Sequence, residues 1–273
     1  MKFCQFRPCR IIIRLPFQVK EGGSAAMALY AIGDLHLSID NIREPSFLRP
    51  RHYSLYKPME VFDPVWKNHA DRIERYWKKT ITSRDTIVIT GDHSWGKDLD
   101  ECRKDFAYIE SLPGRKILLR GNHDMFWTAK KTPSLNEMFS GRLEFLQNNY
   151  LVYQDYALVG TKGCCFEGKD SWDHFEKIRE RERERLQSSF MAARKAGFSK
   201  FIMFLHYPPT SIGEQESCFT ELAQSYGAEQ VIYSHCHGQK RYYDSFHGVV
   251  EGIEYKLVSS DFLRFKPARI LAS

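Results

Sequence analysis

From residue 28 onward, short apolar runs alternate with longer amphipathic stretches. The runs ALYAIG (28–33), TIVIT (86–90) and KILLR (116–120), with 151–153, 157–160, 200–205 and 230–233, predict strands, because unbroken apolar runs of this length suit strands buried on both faces. Between them, Trp66, Ala70, Ile73 and Trp77 recur at spacings of three and four, which predicts a helix over 65–80. A second helix is expected over 99–111, stopped by Pro113-Gly114, and a long one over 171–197. The stretch IEYKLVSSDFLRF (253–265) is expected to close the sheet. Strands alternating with helices predict an α/β fold, with the strands of the second half forming a second layer.

Composition leaves this picture intact. The 273 residues are 42% hydrophobic and 27% charged, as in an ordinary globular protein, and no run reaches the roughly 18 apolar residues of a membrane span. The net charge of +6 is concentrated at the start: residues 1–26 carry five basic side chains against Glu21 alone, which leaves the rest of the chain near neutral. Residues 1–26 therefore read as a basic, poorly ordered extension and 27–273 as one domain. A nearly neutral body without a basic aromatic stripe disfavours a nucleic-acid binder. Seven cysteines without a framework spacing suit reduced thiols and a cytoplasmic location. The alternating charges Arg179 to Arg185 suit a solvated helix face, or else a helix that offers arginines to phosphate.

The candidate chemistry lies where apolar runs turn polar. Asp34 and His36 end the first run, Asp92 and His93 the next, and Asn122, His123 and Asp124 follow KILLR. His206 ends another run, and His235 and His237 end the last. Ligands collect beyond the carboxyl ends of strands in α/β sheets. Taken singly, an Asp after Gly closes a turn and a strand-end His bonds backbone. The ordered series GDLH, GD, GNHD, His206 and HCH, however, resembles the calcineurin-like metallophosphoesterase superfamily, and in particular its bacterial predicted phosphohydrolases, where a Trp follows the second block as Trp95 does here.

That resemblance implies a layered β-sandwich flanked by helices, with a dinuclear metal site at the strand C-terminal ends. Asp34, His36 and His237 would bind the first metal, Asp92 would bridge, and Asn122, His206 and His235 would bind the second. Such a donor set suits two divalent ions, Mn²⁺ or Fe²⁺ first and Zn²⁺ or Mg²⁺ as alternatives. The implied reaction is hydrolysis of a small phosphomonoester or phosphodiester by metal-bridging hydroxide, with His123 as acid and Asp124 orienting it. Two departures stand out: Trp95 replaces an acidic residue common in the family, and Ser234 replaces a Gly before His235. The segment 39–66, with Arg43, Arg49, Arg51, His52, Tyr53 and Lys57, either roofs the cleft or is a surface loop. The competing functions are a non-catalytic metal-binding interaction module on the same fold, and a nuclease. The oligomeric state is not encoded in any of these features.

Overall fold

The computed structural model describes residues 27–168 and 171–272, so the expected extension over 1–26 lies outside the described residues. The first half contains β1 (Leu29–Ile32), β2 (Ile39–Arg43), β3 (His52–Leu55), α1 (His69–Thr80), β4 (Thr86–Ile89), α2 (Arg103–Ser111), β5 (Arg115–Leu119), α3 (Thr132–Met138) and β6 (Glu144–Leu146). The second contains β7 (Tyr150–Tyr153), β8 (Tyr156–Thr161), α4 (Trp172–Lys195), β9 (Lys200–Leu205), α5 (Cys218–Tyr226), β10 (Ala228–Tyr233), α6 (Gln239–Asp244), β11 (Gly248–Val250), β12 (Ile253–Leu257) and β13 (Ala268–Leu271).

Two sheets result. One has the order β13-β1-β4-β5-β6 and the other β11-β12-β10-β9-β8-β7, while β2 and β3 pair separately as a hairpin. Strands β1, β4, β5 and β6 run parallel, as do β12, β10, β9 and β8; β13, β11 and β7 are antiparallel edge strands. Period-two alternation builds the layers. In β1, Leu29 and Ala31 face the other sheet, whereas Tyr30 and Ile32 join α1 and α2 in a separate core. In β9, Ile202 and Phe204 face the first sheet, and Phe201, Met203 and Leu205 pack with Phe190 of α4 and Phe219 of α5. Both faces of these strands are therefore covered, which is why their sequences read as unbroken apolar runs. The expected mixed α/β sandwich flanked by helices is the observed fold.

Differences from the sequence expectations have local causes. Helix α1 starts at His69 rather than Val65 because Asn68 adopts a left-handed φ of 52°. Ahead of it, Pro64–Trp66 forms a separate 3-10 turn capped by the Asp63 carboxylate, which accepts a hydrogen bond from Val65 N at 2.9 Å. Helix α2 starts at Arg103 rather than Leu99, because Asp98 Oδ1 accepts hydrogen bonds from the amides of Asp100 and Glu101 and holds a turn there. The expected closing strand over 253–265 ends at Leu257. Arg264 and Phe265, at φ 51° and 66°, then redirect the chain so that β13 joins the other sheet.

The two sheets are tied together at one edge, beyond the C-terminal ends of β1, β4, β5, β9 and β10. Thr90 O accepts hydrogen bonds from both Ser234 Oγ and His206 Nδ1 at 2.9 Å, and Val258 O accepts one from Gly33 N at 2.7 Å. That edge carries the polar strand-end residues.

Candidate metal centre

Gly91 and Gly121 let the strand ends approach closely. A Cβ on Gly91, itself at φ 105°, would meet His206 Nδ1 at 2.5 Å and Gly121 Cα at 2.7 Å, and one on Gly121 would meet Asp92 Oδ1 at 2.1 Å. Around them Asp34, His36, Asp92 and His235 all have positive φ, at 57°, 43°, 54° and 71°. Non-glycine residues cluster in this conformation where surrounding structure over-determines them, characteristically at functional sites.

Each carboxylate has one oxygen committed to backbone and one aimed inward. Asp34 Oδ2 accepts a hydrogen bond from His235 N at 3.0 Å, and Asp92 Oδ1 accepts one from His123 N at 2.8 Å. Asp34 Oδ1 and Asp92 Oδ2 are buried without a hydrogen-bond partner. Asp92 Oδ2 lies 3.6 Å from His206 Nε2 and 3.7 Å from His36 Nε2, and Asp34 Oδ1 lies 4.0 Å from His237 Nε2. Two groups of converging donors follow, Asp34 with His36 and His237, and Asp92 with His206 and His235. Asn122 Oδ1 joins the second, 2.6 Å from His206 Nε2.

The imidazoles are oriented for lone pairs to point inward. His206 Nδ1–H donates to Thr90 O, which leaves Nε2 free for a cation. His237 Nδ1 is 3.0 Å from Asp261 Oδ1, with its Nε2 toward Asp34. Electrostatics agree with a site that favours positive charge. Burial, then the Asp124 and Asp34 carboxylates, hold the Asp92 carboxyl well above the usual range, and burial raises Asp34 as well. Burial opposes charge on His237, yet Asp34 and Asp261 raise it to about 9. Orphaned buried carboxylate oxygens facing imidazole nitrogens, with an amide oxygen beside them, fit divalent cations.

The structure therefore brings together Asp34, His36, Asp92, Asn122, His206, His235 and His237. His123 sits at their edge, its ring 5.6 Å from that of His36. The expected orienting contact from Asp124 is not formed, which corrects the reading of that residue. Its buried carboxylate accepts hydrogen bonds from the amides of Gly121, Asp92 and His93, and from His93 Nδ1 at 2.9 Å. Asp124 thus fixes the loop that carries His123, and His93 is buried against it. Trp95 instead lies against the donor groups: its ring is 4.4 Å from that of His123 and stacks on His36 at 4.9 Å, with Lys57 Nζ 3.3 Å from the ring centroid. The Ser for Gly exchange is accommodated, since Ser234 Oγ bonds Thr90 O and His235 keeps its place. Cys236 packs into the apolar layer beneath α4 and α5, away from the donors.

Two participants escape the sequence reading. Asp261 supports His237, and its other oxygen accepts hydrogen bonds from Tyr242 Oη at 2.6 Å and Gly238 N at 3.2 Å. It also follows a strand, β12, but without a neighbouring Gly or His to mark it. Tyr207, whose ring is 4.2 Å from that of His235, follows His206 inside an apolar run. In the segment 39–66, Arg51 pairs with Glu44 and Glu74, and His52 with Asp71; Lys57 and Trp66 are the ones that reach the site. Among the described residues no helix is long and apolar enough to cross a membrane.

A family model described as calcineurin-like phosphoesterase matches residues 27–239. No curated protein matches. Among solved structures, the phosphopantetheinyl hydrolase of Mycobacterium tuberculosis is similar at 14% identity and a TM-score of 0.53, over 90% of this chain and 96% of that one. TT1561 of Thermus thermophilus is similar at 11% identity and a TM-score of 0.52, over 90% and 99%. Identities this low show a shared fold.

Proposed function

The chain belongs to the calcineurin-like phosphoesterase family, and from that premise we propose that it hydrolyses a phosphomonoester or phosphodiester with the help of two divalent cations. The observation that carries this reading is the pair of donor groups meeting at Asp34 Oδ1 and Asp92 Oδ2, buried oxygens with no other partner. Asp34, His36 and His237 would hold one ion and Asn122, His206 and His235 the other, with Asp92 between them. Two such ions, when bound, supply Lewis acidity that activates water near neutral pH and neutralises phosphoryl charge.

The chain's own residues do the rest. Thr90 O and Asp261 set the tautomers of His206 and His237. His123 gives a proton to the departing ester oxygen from its imidazole, which makes no side-chain hydrogen bond among the described residues. Burial first, and His235 second, push its pKa down to about 4, and a bound phosphoryl anion favours its protonation. Trp95 and Asp124 confine that ring, one by contact and the other through the loop.

The test is hydrolysis of a chromogenic monoester and diester by metal-stripped protein resupplied with Mn²⁺, Fe²⁺, Zn²⁺ or Mg²⁺. Turnover should return with metal and be absent in Asp92→Ala, which should also fail to hold both ions. Full metal loading without turnover of any ester tried would favour the interaction module instead.

A further inference from the structure

One charge imbalance beside the donors is not used by the chemistry above. Lys162 follows β8, and its carbonyl accepts hydrogen bonds from the amides of His206 and Tyr207. Its Nζ lies 4.9 Å from the centroid of the Tyr207 ring, which itself packs on His235. Arg120 immediately precedes Gly121 and Asn122, and only its Nε is engaged, with Trp127 O. Arg181 and Arg185 project from α4, which packs on β8. Arg120 feels Lys162 and both helix arginines electrostatically, and Lys162 and Arg120 alike feel Glu182 and Arg181.

Glu182 is fully buried and already committed: it accepts from Thr161 Oγ1 at 2.6 Å and pairs with Arg185. Asp124, near Arg120, is saturated by three amides and His93. Among the described residues no carboxylate pairs with Lys162, Arg120 or Arg181. Lys162 and Arg120 are partly desolvated, and such cations normally have a counterion, because leaving them unpaired is costly. Here the excess adjoins the donors: Lys162 bonds the His206 amide and lies over Tyr207, Arg120 stands two residues before Asn122, and the bond from Thr161 to Glu182 brings Arg181 beside Lys162. Lysine and arginine together are suited to phosphoryl oxygens.

Resting on the phosphoesterase reading, we propose that Lys162, Arg120 and Arg181 form a subsite for a second phosphoryl group, so that the preferred substrate is a phosphate ester carrying two phosphates. One is held at the donor groups and the other by these three side chains. The long charged helix thereby contributes one arginine to substrate, while Arg179 and Arg183 pair with Glu176 and Glu180 along its own surface.

The test measures binding, so it does not depend on turnover. In a metal-loaded His123→Ala background, affinities are compared for AMP against ADP and for fructose 6-phosphate against fructose 1,6-bisphosphate, which span short and long phosphate separations. In at least one pair the two-phosphate member should bind about tenfold or more tightly, the worth of one or two charge-assisted hydrogen bonds. Lys162→Met and Arg181→Gln should each reduce that preference while leaving the one-phosphate affinity unchanged. Arg181 is exposed, so its variant carries the test if Lys162→Met does not fold. Absence of any preference, or a preference that survives both variants, overturns the proposal. So does an equal loss for both members, which would put the cluster on the scissile phosphate. Failure of the parent protein to hydrolyse any ester is a separate result and bears on the phosphoesterase reading alone.

Discussion

At the scale of single residues, strand-end chemistry is legible in the sequence and its support is not. The Gly-Asp and Gly-Asn pairs can be read because the glycines are forced by close approach of backbones: Gly121 has Asp92 against it, and Gly91 has His206. Asp124 misleads because adjacency in sequence to His123 is not adjacency of side chains; its carboxylate turns back to three amides and His93. With Trp95 and the loop as its confinement, His123→Ala should retain both metals and lose turnover in proportion to leaving-group pKa. Metal analysis beside rates for a series of phenyl phosphates checks this, and a uniform rate loss across the series would remove the acid role. Asp261 cannot be found from sequence, since it pairs with His237 from a distant turn. Losing such a partner typically costs about 10–100-fold in metal affinity. Asp261→Asn should therefore weaken binding of one ion by roughly that factor and leave the other in place. Competition with a chelator reads both affinities, and equal retention of the two would show that Asp261 only packs.

At the scale of elements, long buried strands are readable and short edge strands are not. Strands β4, β9 and β10 are covered on both faces, so their apolar runs are continuous. Strands β6 and β11 have three residues each, too few for a period to be recognised, and depend on their neighbours for existence. Helix α2 shows what else pattern misses. Its buried Asp105 accepts hydrogen bonds from Ile39 N at 2.8 Å and Ser94 Oγ at 2.5 Å, which ties the start of β2 to the loop after Asp92. Burial lifts this carboxyl from 3.8 to about 6 despite those bonds. A folded-state pKa above the unfolded one means a proton is taken up on folding. The stabilisation is complete below pH about 4 and is lost as pH rises through about 6. Asp105→Asn, which keeps an acceptor oxygen, should lack that loss. The stability difference between variant and parent should then move in the variant's favour between pH about 4 and about 6.5, read from urea midpoints, and a pH-independent difference would mean that Asp105 is ionised in the fold throughout.

At the scale of the whole molecule, the donors come from both sheets. Asp34, Asp92 and Asn122 follow strands of one sheet, and His206, His235 and His237 follow strands of the other. The sandwich itself is legible because each sheet needs its apolar face covered, but which strands cross between sheets is not. The expected closing strand hides the turn at Arg264 and Phe265 that sends β13 back beside β1. Cations bound at this edge would hold the two sheets together and neutralise Asp34 and Asp92, whose charges repel in a buried space. Ions that bind only the folded state stabilise it by about 2.7 kcal/mol at a hundredfold excess over Kd. For a domain of this size that corresponds to roughly 5–10 °C in Tm. Chelation should lower the melting temperature by that order, and readdition of metal should restore it. Asp92→Ala should melt at one temperature with or without chelator. It should also fall less far below the chelated parent than an ordinary buried deletion would, because the variant removes one of the two charges that repel when no cation is bound. If chelated and reloaded parent protein melted together while metal analysis showed the ions leaving and returning, the edge would be held by its hydrogen bonds through Thr90 and Val258, and the cations would serve chemistry without serving the fold.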